Sequence, residues 1–306
     1  MNIDISCSRL LRFVAVPVVF ACLQLLPSQP LAQTKTQQID NGYIDEIIAT
    51  VVARTAKPGG VEFKPSSGFG LTRERLLAEL LDGTRIEYAA VATKPDWEEQ
   101  LIPIRIPLRK GLQGYRIYLI HRDNAKSFSE VETVEDLAGL SVGSGLHWST
   151  NRVMDDAGFK SVRAETREQL FSMLQLKRFQ GLPRGLDEVY FEHAAWSSRV
   201  PELEVEQTLA IYSPLPTYLF VTPKRPDLAK RFETGLMDLI ADGTLDSIFW
   251  KHFEDDISRA NLRRRRIFEL PNANLGPQTP LEAAHLWFKP DQEPPVTDDI
   301  MTKADD

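Results

Sequence analysis

Beyond residue 32 the chain has no cysteine, because Cys7 and Cys22 both precede that point. A chain that begins there forms no disulfide and carries no thiol nucleophile, so its stability rests on its core. Histidine pairing is absent as well. The five histidines, His121, His147, His193, His252 and His285, show no HxxxH-type metal spacing. No nucleophile elbow, phosphate loop or complete dinucleotide fingerprint occurs, and Gly143-Ser144-Gly145 is only a fragment of the last. Carboxylates such as Glu98, Glu99, Asp187, Glu188 and Glu192 are present, but no spacing singles out a catalytic pair. The expectation is therefore a chain without cofactor or metal that is not an enzyme. Positive charge is also in deficit. The net charge of −7 argues against general nucleic-acid binding. After Ala32 no apolar run is long enough to cross a membrane.

What is present begins with an export signal. Arg9 and Arg12 precede an apolar run from Phe13 to Leu26, and Pro30-Leu31-Ala32 leads into polar Gln33-Thr34-Lys35. Residues 1–32 read as a secretory signal cleaved near Ala32, which predicts a periplasmic protein. Lipoprotein processing at Cys22 and an uncleaved anchor are the alternatives; the residues before Cys22 fit the first poorly, and the apolar run is short for the second.

From Ile39 the pattern alternates between α and β. Apolar residues at 44, 47, 48, 51 and 52 predict a helix over Tyr43–Arg54, and Val61-Glu62-Phe63 suggests a brief strand. Thr72 and Gly83 bracket a helix over Arg73–Leu81. Strands are expected at Ile86–Ala92, Ile102–Pro107, Tyr115–His121, Asp187–Phe191, Leu203–Ala210 and Thr217–Thr222. Helices are expected over Arg167–Phe179, Glu192–Ser198, Leu228–Ile240 and Leu245–Phe253, with Gly181–Gly185 as a break. Alternation of this kind predicts parallel sheets covered on both faces. Arg263–Arg266 reads as a solvated face or as a partner for the acidic surface, and Asp291–Asp306 as a disordered tail.

The stretch Leu137–Phe159 reads as a strand end, a turn permitted by Gly143 and Gly145, and a helix capped by Ser149 or Thr150 and closed by Gly158. Backbone N–H groups at such a helix start suit an anion. The same pattern also fits an ordinary strand–helix junction.

Three segments resemble the extracellular solute-binding proteins of family 3, the periplasmic receptors of polar amino-acid ABC transporters. Val134-Glu135-Asp136-Leu137-Ala138-Gly139-Leu140-Ser141-Val142-Gly143 is similar to that family's entry into its second lobe. Leu182–Glu192 is similar to its "g-x-xDa" strand. Leu239–Phe253, with a "dGt" turn before an aromatic-rich helix, is similar to its closing helix. The likeness covers about Tyr43 to Phe253. It implies a two-lobed type II periplasmic-binding fold with a ligand cleft, closing by hinge motion. Lobe one would take residues 33–114 and 216–258, and lobe two 115–215. Residues 259–290 would form a C-terminal extension and 291–306 the tail. The resemblance implies a small polar or anionic, amino-acid-like solute and an ABC permease or membrane sensor as partner. It involves no nucleic acid, and any membrane contact would pass through that partner.

Carried residue by residue, the resemblance nominates Thr93, Lys94, Trp97 and Arg105 on lobe one. On lobe two it nominates Gly145, His147, Trp148 and Ser149, with Glu192 for the ligand's amine. The family's arginine after the first of these strands has no counterpart here. Two other readings follow from the same residues: a sensor or interaction module with a degenerate cleft, and an enzyme that uses a cleft carboxylate such as Glu192.

Overall fold

The computed structural model describes residues 31–56 and 71–294, with side chains described from Gly42 onward. Residues 1–30 of the expected signal, the strand at Val61–Phe63 and residues 295–306 of the expected tail lie outside the described residues.

Helix α1 (Leu31–Arg54) starts before the expected Tyr43 and buries Ile47, Ile48 and Val51 of the predicted stripe together with Tyr43, while Ile44 and Val52 are half-buried. Helix α2 (Arg73–Asp82) starts at Thr72, whose hydroxyl accepts from Arg75 N at 3.3 Å. Then come β1 (Tyr88–Ala92), α3 (Pro95–Gln100) and β2 (Ile102–Ile104). After a first crossing, residues 105–114, the chain forms β3 (Tyr115–His121), α4 (Ala125–Ser129) and α5 (Val134–Gly139). A reciprocal Thr133–Asp136 capping box fixes the start of α5. Next follow β4 (Ser141–Gly145), α6 (Asn151–Asp156), β5 (Lys160–Ala164) and α7 (Arg167–Gln175). They lead to β6 (Gly181–Gly185), α8 (Leu186–Trp196), β7 (Leu203–Val205) and β8 (Leu209–Tyr212). Residues 213–216 cross back to β9 (Thr217–Val221), followed by α9 (Pro226–Ala241), α10 (Thr244–Ala260) and β10 (Arg266–Glu269).

The strands form two sheets, so the chain is a two-unit α/β fold. The small sheet has the order β1-β9-β2 and is antiparallel throughout. The large one has the order β10-β8-β3-β6-β4-β5, with β7 also paired to β3. It is mixed: β4 runs parallel to β5 and β6, whereas β3 is antiparallel to β6, β7 and β8. The expectation of purely parallel sheets is thus corrected. β3 brings the chain into the large sheet and β8 takes it out, so these neighbours run in opposite directions.

Other departures are local. Gly181–Gly185, expected to be a break, is a fully buried strand paired along Arg116–Ile120. Close packing there requires a small residue: a Cβ on Gly181 would lie 2.5 Å from Phe128 Cζ. Residues 186–196 are one helix rather than a strand followed by a helix, because the strand role is already filled by β6. β5 was not anticipated, and Leu203–Ala210 divides into β7 and the start of β8.

The chain beyond residue 258 joins the large sheet. β10 pairs in parallel with β8, and the arginine run stitches it in place. Arg265 is buried and donates to Ala260 O at 2.7 Å and to Glu206 O at 2.6 Å, while Arg266 donates to Val131 O. One apolar core spans both units. It joins Tyr88, Leu219 and Val221 of the small sheet to Ile117, Leu119 and Leu182 of the large one through α1, α8, α9 and α10. Separating the units widely would expose that surface. Among the described residues no helix is long and apolar enough to cross a membrane.

Candidate ligand site between the two sheets

On the small sheet, β1 is followed by Thr93 and Lys94, and Pro95 starts α3 at its first helical position. Thr93 is buried and donates to Glu98 Oε1 at 2.5 Å; Arg105 Nε donates to the other oxygen of Glu98 at 3.0 Å. The sequence-nominated Thr93 and Arg105 therefore converge on Glu98. Trp97 stands apart from them. It is 2 % exposed, with its ring centroid 5.4 Å from that of Phe220 and with the Arg73 guanidinium 4.6 Å from it on another side. Its ring is a core contact.

On the large sheet, Gly143 and Gly145 lie inside β4, not in a turn. The absence of a side chain at each serves an aromatic neighbour. A Cβ on Gly143 would be 2.3 Å from Phe179 Cζ, and one on Gly145 would be 2.2 Å from Trp148 Nε1. The helix expected after them is the six-residue α6, whose N-cap Thr150 makes no side-chain capping bond. The loop uses its own donors: Trp148 N bonds Gly145 O at 3.1 Å, and Asn151 Nδ2 bonds Gly145 O and Leu146 O at 2.9 and 3.0 Å. The loop before that short helix is partly self-bonded and presents exposed His147 and half-buried Trp148 and Ser149.

Behind Trp148 lies a cluster of charges that the sequence reading did not assemble. Arg184, buried in β6, places its guanidinium carbon 4.2 Å from the Trp148 ring centroid. It grips Glu192 with two bonds, 2.6 Å from Nε and 2.8 Å from Nη2, and lies 3.0 Å from Glu188. Arg167 adds contacts of 3.6 Å to Glu192 and 3.9 Å to Glu188. Burial pushes the Glu188 carboxyl up, but Arg184, Arg167 and Arg116 outweigh it and hold it down at about 2. Glu192 is 1 % exposed and spends both oxygens on Arg184. A second buried pair sits at the first crossing, where Arg109 Nη1 lies 3.1 Å from Asp187 and Gln113 links Asp187 to Thr217 of β9.

Glu74 lies exposed in the first turn of α2. Its carboxyl is held below the usual range first by its own backbone N–H, then by the Thr72 hydroxyl, and also by the charges of His147 and Lys94. Of the nominated residues, the fold brings Thr93, Lys94 and Arg105 to one side and Gly145, His147, Trp148 and Ser149 to the other. Trp97 stays in the core and Glu192 in the ion cluster. Arg184 escaped notice because it sits in a glycine- and proline-rich run; Glu74 carried no signal beyond its place at a helix start.

No protein-family model matches this sequence, and no curated protein does. Among solved structures, the chain is similar to an ancestral arginine-binding protein bound to arginine, at 20 % identity and a TM-score of 0.46, over 69 % of this chain and 87 % of that one. It is also similar to a periplasmic His/Glu/Gln/Arg/opine family-binding protein from Silicibacter pomeroyi in complex with lysine, at 12 % identity and a TM-score of 0.47, over 70 % of this chain and 87 % of that one. A third is the GluR0 ligand-binding core from Nostoc punctiforme in complex with L-glutamate, at 14 % identity and a TM-score of 0.45, over 69 % and 90 % of the two chains.

Proposed function

We propose that this chain is a secreted, periplasmic solute receptor. It holds a small polar or anionic, amino-acid-like molecule between its two sheets and presents it to an ABC permease or a membrane sensor. One observation carries the reading: residues 274–276 reach Ser149 O on the loop after β4 and Glu98 beside Thr93 and Arg105, so the nominated residues of the two units border one space. In this reading a solute that carries both a carboxylate and an amine lies in that space, with its carboxylate toward Lys94 and Arg105 of one unit and its body against Trp148 of the other. Trp148, stiffened by Arg184 behind it, would supply an aromatic wall. The role is binding rather than turnover, since Glu192 is committed to Arg184.

A thermal-shift screen of residues 33–306 against amino acids, small carboxylates, polyamines and sugars tests it. One class should give a saturable rise, equivalent to about 2.7 kcal/mol at a hundredfold excess over Kd. Lys94→Ala and His147→Ala should each reduce that response. A flat profile across every class would refute the receptor.

The second reading, an interaction or sensor module without a transported solute, is favoured by the chain's own C-terminal segment. Asn274 donates to Ser149 O at 3.4 Å, and a Cβ on Gly276 would lie 3.4 Å from Glu98 Oε2.

A further inference from the structure

After β10 the chain does not leave the molecule. Leu270 is buried and bonds Tyr212 O at 2.8 Å, the last ladder-like contact with the large sheet. From there Asn272 donates to Pro214 O at 2.8 Å on the return crossing, and Asn274 reaches Ser149 on the loop after β4. Two residues on, Gly276 lies against Glu98 of α3. Thr279 Oγ1 and Tyr218 Oη, the latter on β9, are buried beside each other. Within eight residues, 272–279, the segment thus touches the large sheet's loop, the crossing and the small sheet. Asn272 also lines a small chamber with Arg116, Thr150 and Ser213. In that chamber Arg116 Nε and Ser213 Oγ are buried and make no hydrogen bond among the described residues.

The ends of the segment are held far more firmly than its middle. At the far end Phe288, 1 % exposed, packs on Tyr115, Phe249 and Trp250, and its N–H donates to Lys110 O at 2.7 Å. Trp287 is buried on Gly111, where φ is 69° and a Cβ would lie 2.5 Å from the indole ring. Between Leu270 and Trp287 no residue is buried. Residues 271–280 are held to both units by the Asn272 and Asn274 bonds and by half-buried contacts. Pro271, Pro277 and Pro280 limit the conformations of this stretch, so docking costs it little entropy.

We propose that residues 271–280 are a tethered strap that occupies the space between the two sheets and must move aside before an external solute enters. The inference rests on the receptor reading only for the identity of what enters; the strap's own docking is tested separately. A segment anchored in the core at both ends and lightly held in the middle can swing out without unfolding either unit. Its displacement also frees Arg116, Thr150 and Ser213 to contact a ligand. Apparent affinity is then reduced by the fraction of molecules in which the strap is out.

The test uses the full mature chain, wild type and Asn272→Ala/Asn274→Ala, in which the anchors at Leu270, Trp287 and Phe288 are intact. Without solute, amide hydrogen exchange should speed up in the variant at residues 272–279, 94–98 and 147–150, and stay unchanged in β5 and at residues 110–112. Unchanged exchange at 147–150 would overturn the strap. Titration with each common L-amino acid, tested singly, forms the second arm. Any amino acid that binds the wild type should bind the variant roughly tenfold more tightly, the effect of losing two neutral hydrogen bonds from the competing state. Weaker binding by the variant would overturn the strap while leaving the receptor reading standing. Faster exchange with no amino acid bound by either chain would uphold the strap and count against the receptor.

Discussion

Behind Thr93 and Lys94, the small sheet is backed by an apolar cluster in which Trp97, Tyr218 and Phe220 pack with Leu76, Leu80 and Leu101. Behind Trp148, the corresponding depth of the large sheet holds ions: Arg184, Glu188 and Glu192, with Arg167 at their edge. Two tryptophans each meet a guanidinium, Arg73 at 4.6 Å and Arg184 at 4.2 Å, but differ in burial and backing. Trp97 is buried within the apolar cluster, whereas Trp148 lies half-buried over a guanidinium that belongs to an ion cluster. An apolar backing gains stability in proportion to the area it removes from water. A buried ion cluster adds little net stability but loses much when one member is removed, because the partner is left charged and unpaired. The small sheet is therefore expected to yield to cavities, and the large one to lost partners and to acid.

Three measurements sharpen or break that contrast. The largest effect is expected from Trp97→Ala, which should lower unfolding free energy in urea by about 4 kcal/mol, as for a fully packed aromatic. A loss below about 1 kcal/mol would mean that Trp97 is not packing material, and the contrast would fail. Glu192→Gln follows, with a loss of about 3 kcal/mol from leaving Arg184 and Arg167 under-compensated. The double variant Arg184→Met/Glu192→Leu should recover part of it, since an apolar pair of similar bulk removes both charges; no recovery would make the cluster's geometry, not its charge balance, the source of the loss. The smallest effect is in pH. Glu188 ionises more readily in the folded chain, at about 2, than its ordinary value of 4.5. The stability it contributes is complete above about 4.5 and is lost as the pH falls toward 2. Glu188→Gln should flatten that part of the stability profile. An unchanged profile would show that Glu188 is not held by the arginines.

Much of the small unit was legible beforehand. The stripe on α1, the Thr72 cap and the Gly83 stop each follow from local rules of helix periodicity and end chemistry. The strand Tyr115–His121 was equally plain. The large unit misled where tertiary packing overrides local preference. Gly181-Leu182-Pro183-Arg184-Gly185 has the composition of a turn, yet it is a central strand because Phe128 and Tyr118 need a neighbour without a side chain at Gly181. Gly143 and Gly145 were read as a turn for the same reason, although their role is to admit Phe179 and Trp148. At the site, residue types were legible and partners were not. Glu192 and Trp97 were singled out as exposed chemistry, and no local pattern shows that one is gripped by Arg184 and the other covered by Phe220.

The sequence by itself determined that the chain alternates helices and strands, and that after residue 32 it stands without disulfides. It also determined both ends of α2 and α9 to within two residues, because these depend on periodicity, capping and composition within a few residues. Only the tertiary structure decided that the C-terminal residues rejoin the large sheet, that the arginine run is structural, and that residues 272–279 touch both units. Those outcomes depend on contacts between segments more than fifty residues apart, such as Phe268 with Ile211, Arg265 with Glu206 and Asn274 with Ser149. Burial and pairing at that separation are properties of the assembled fold, and no window of the chain contains both partners.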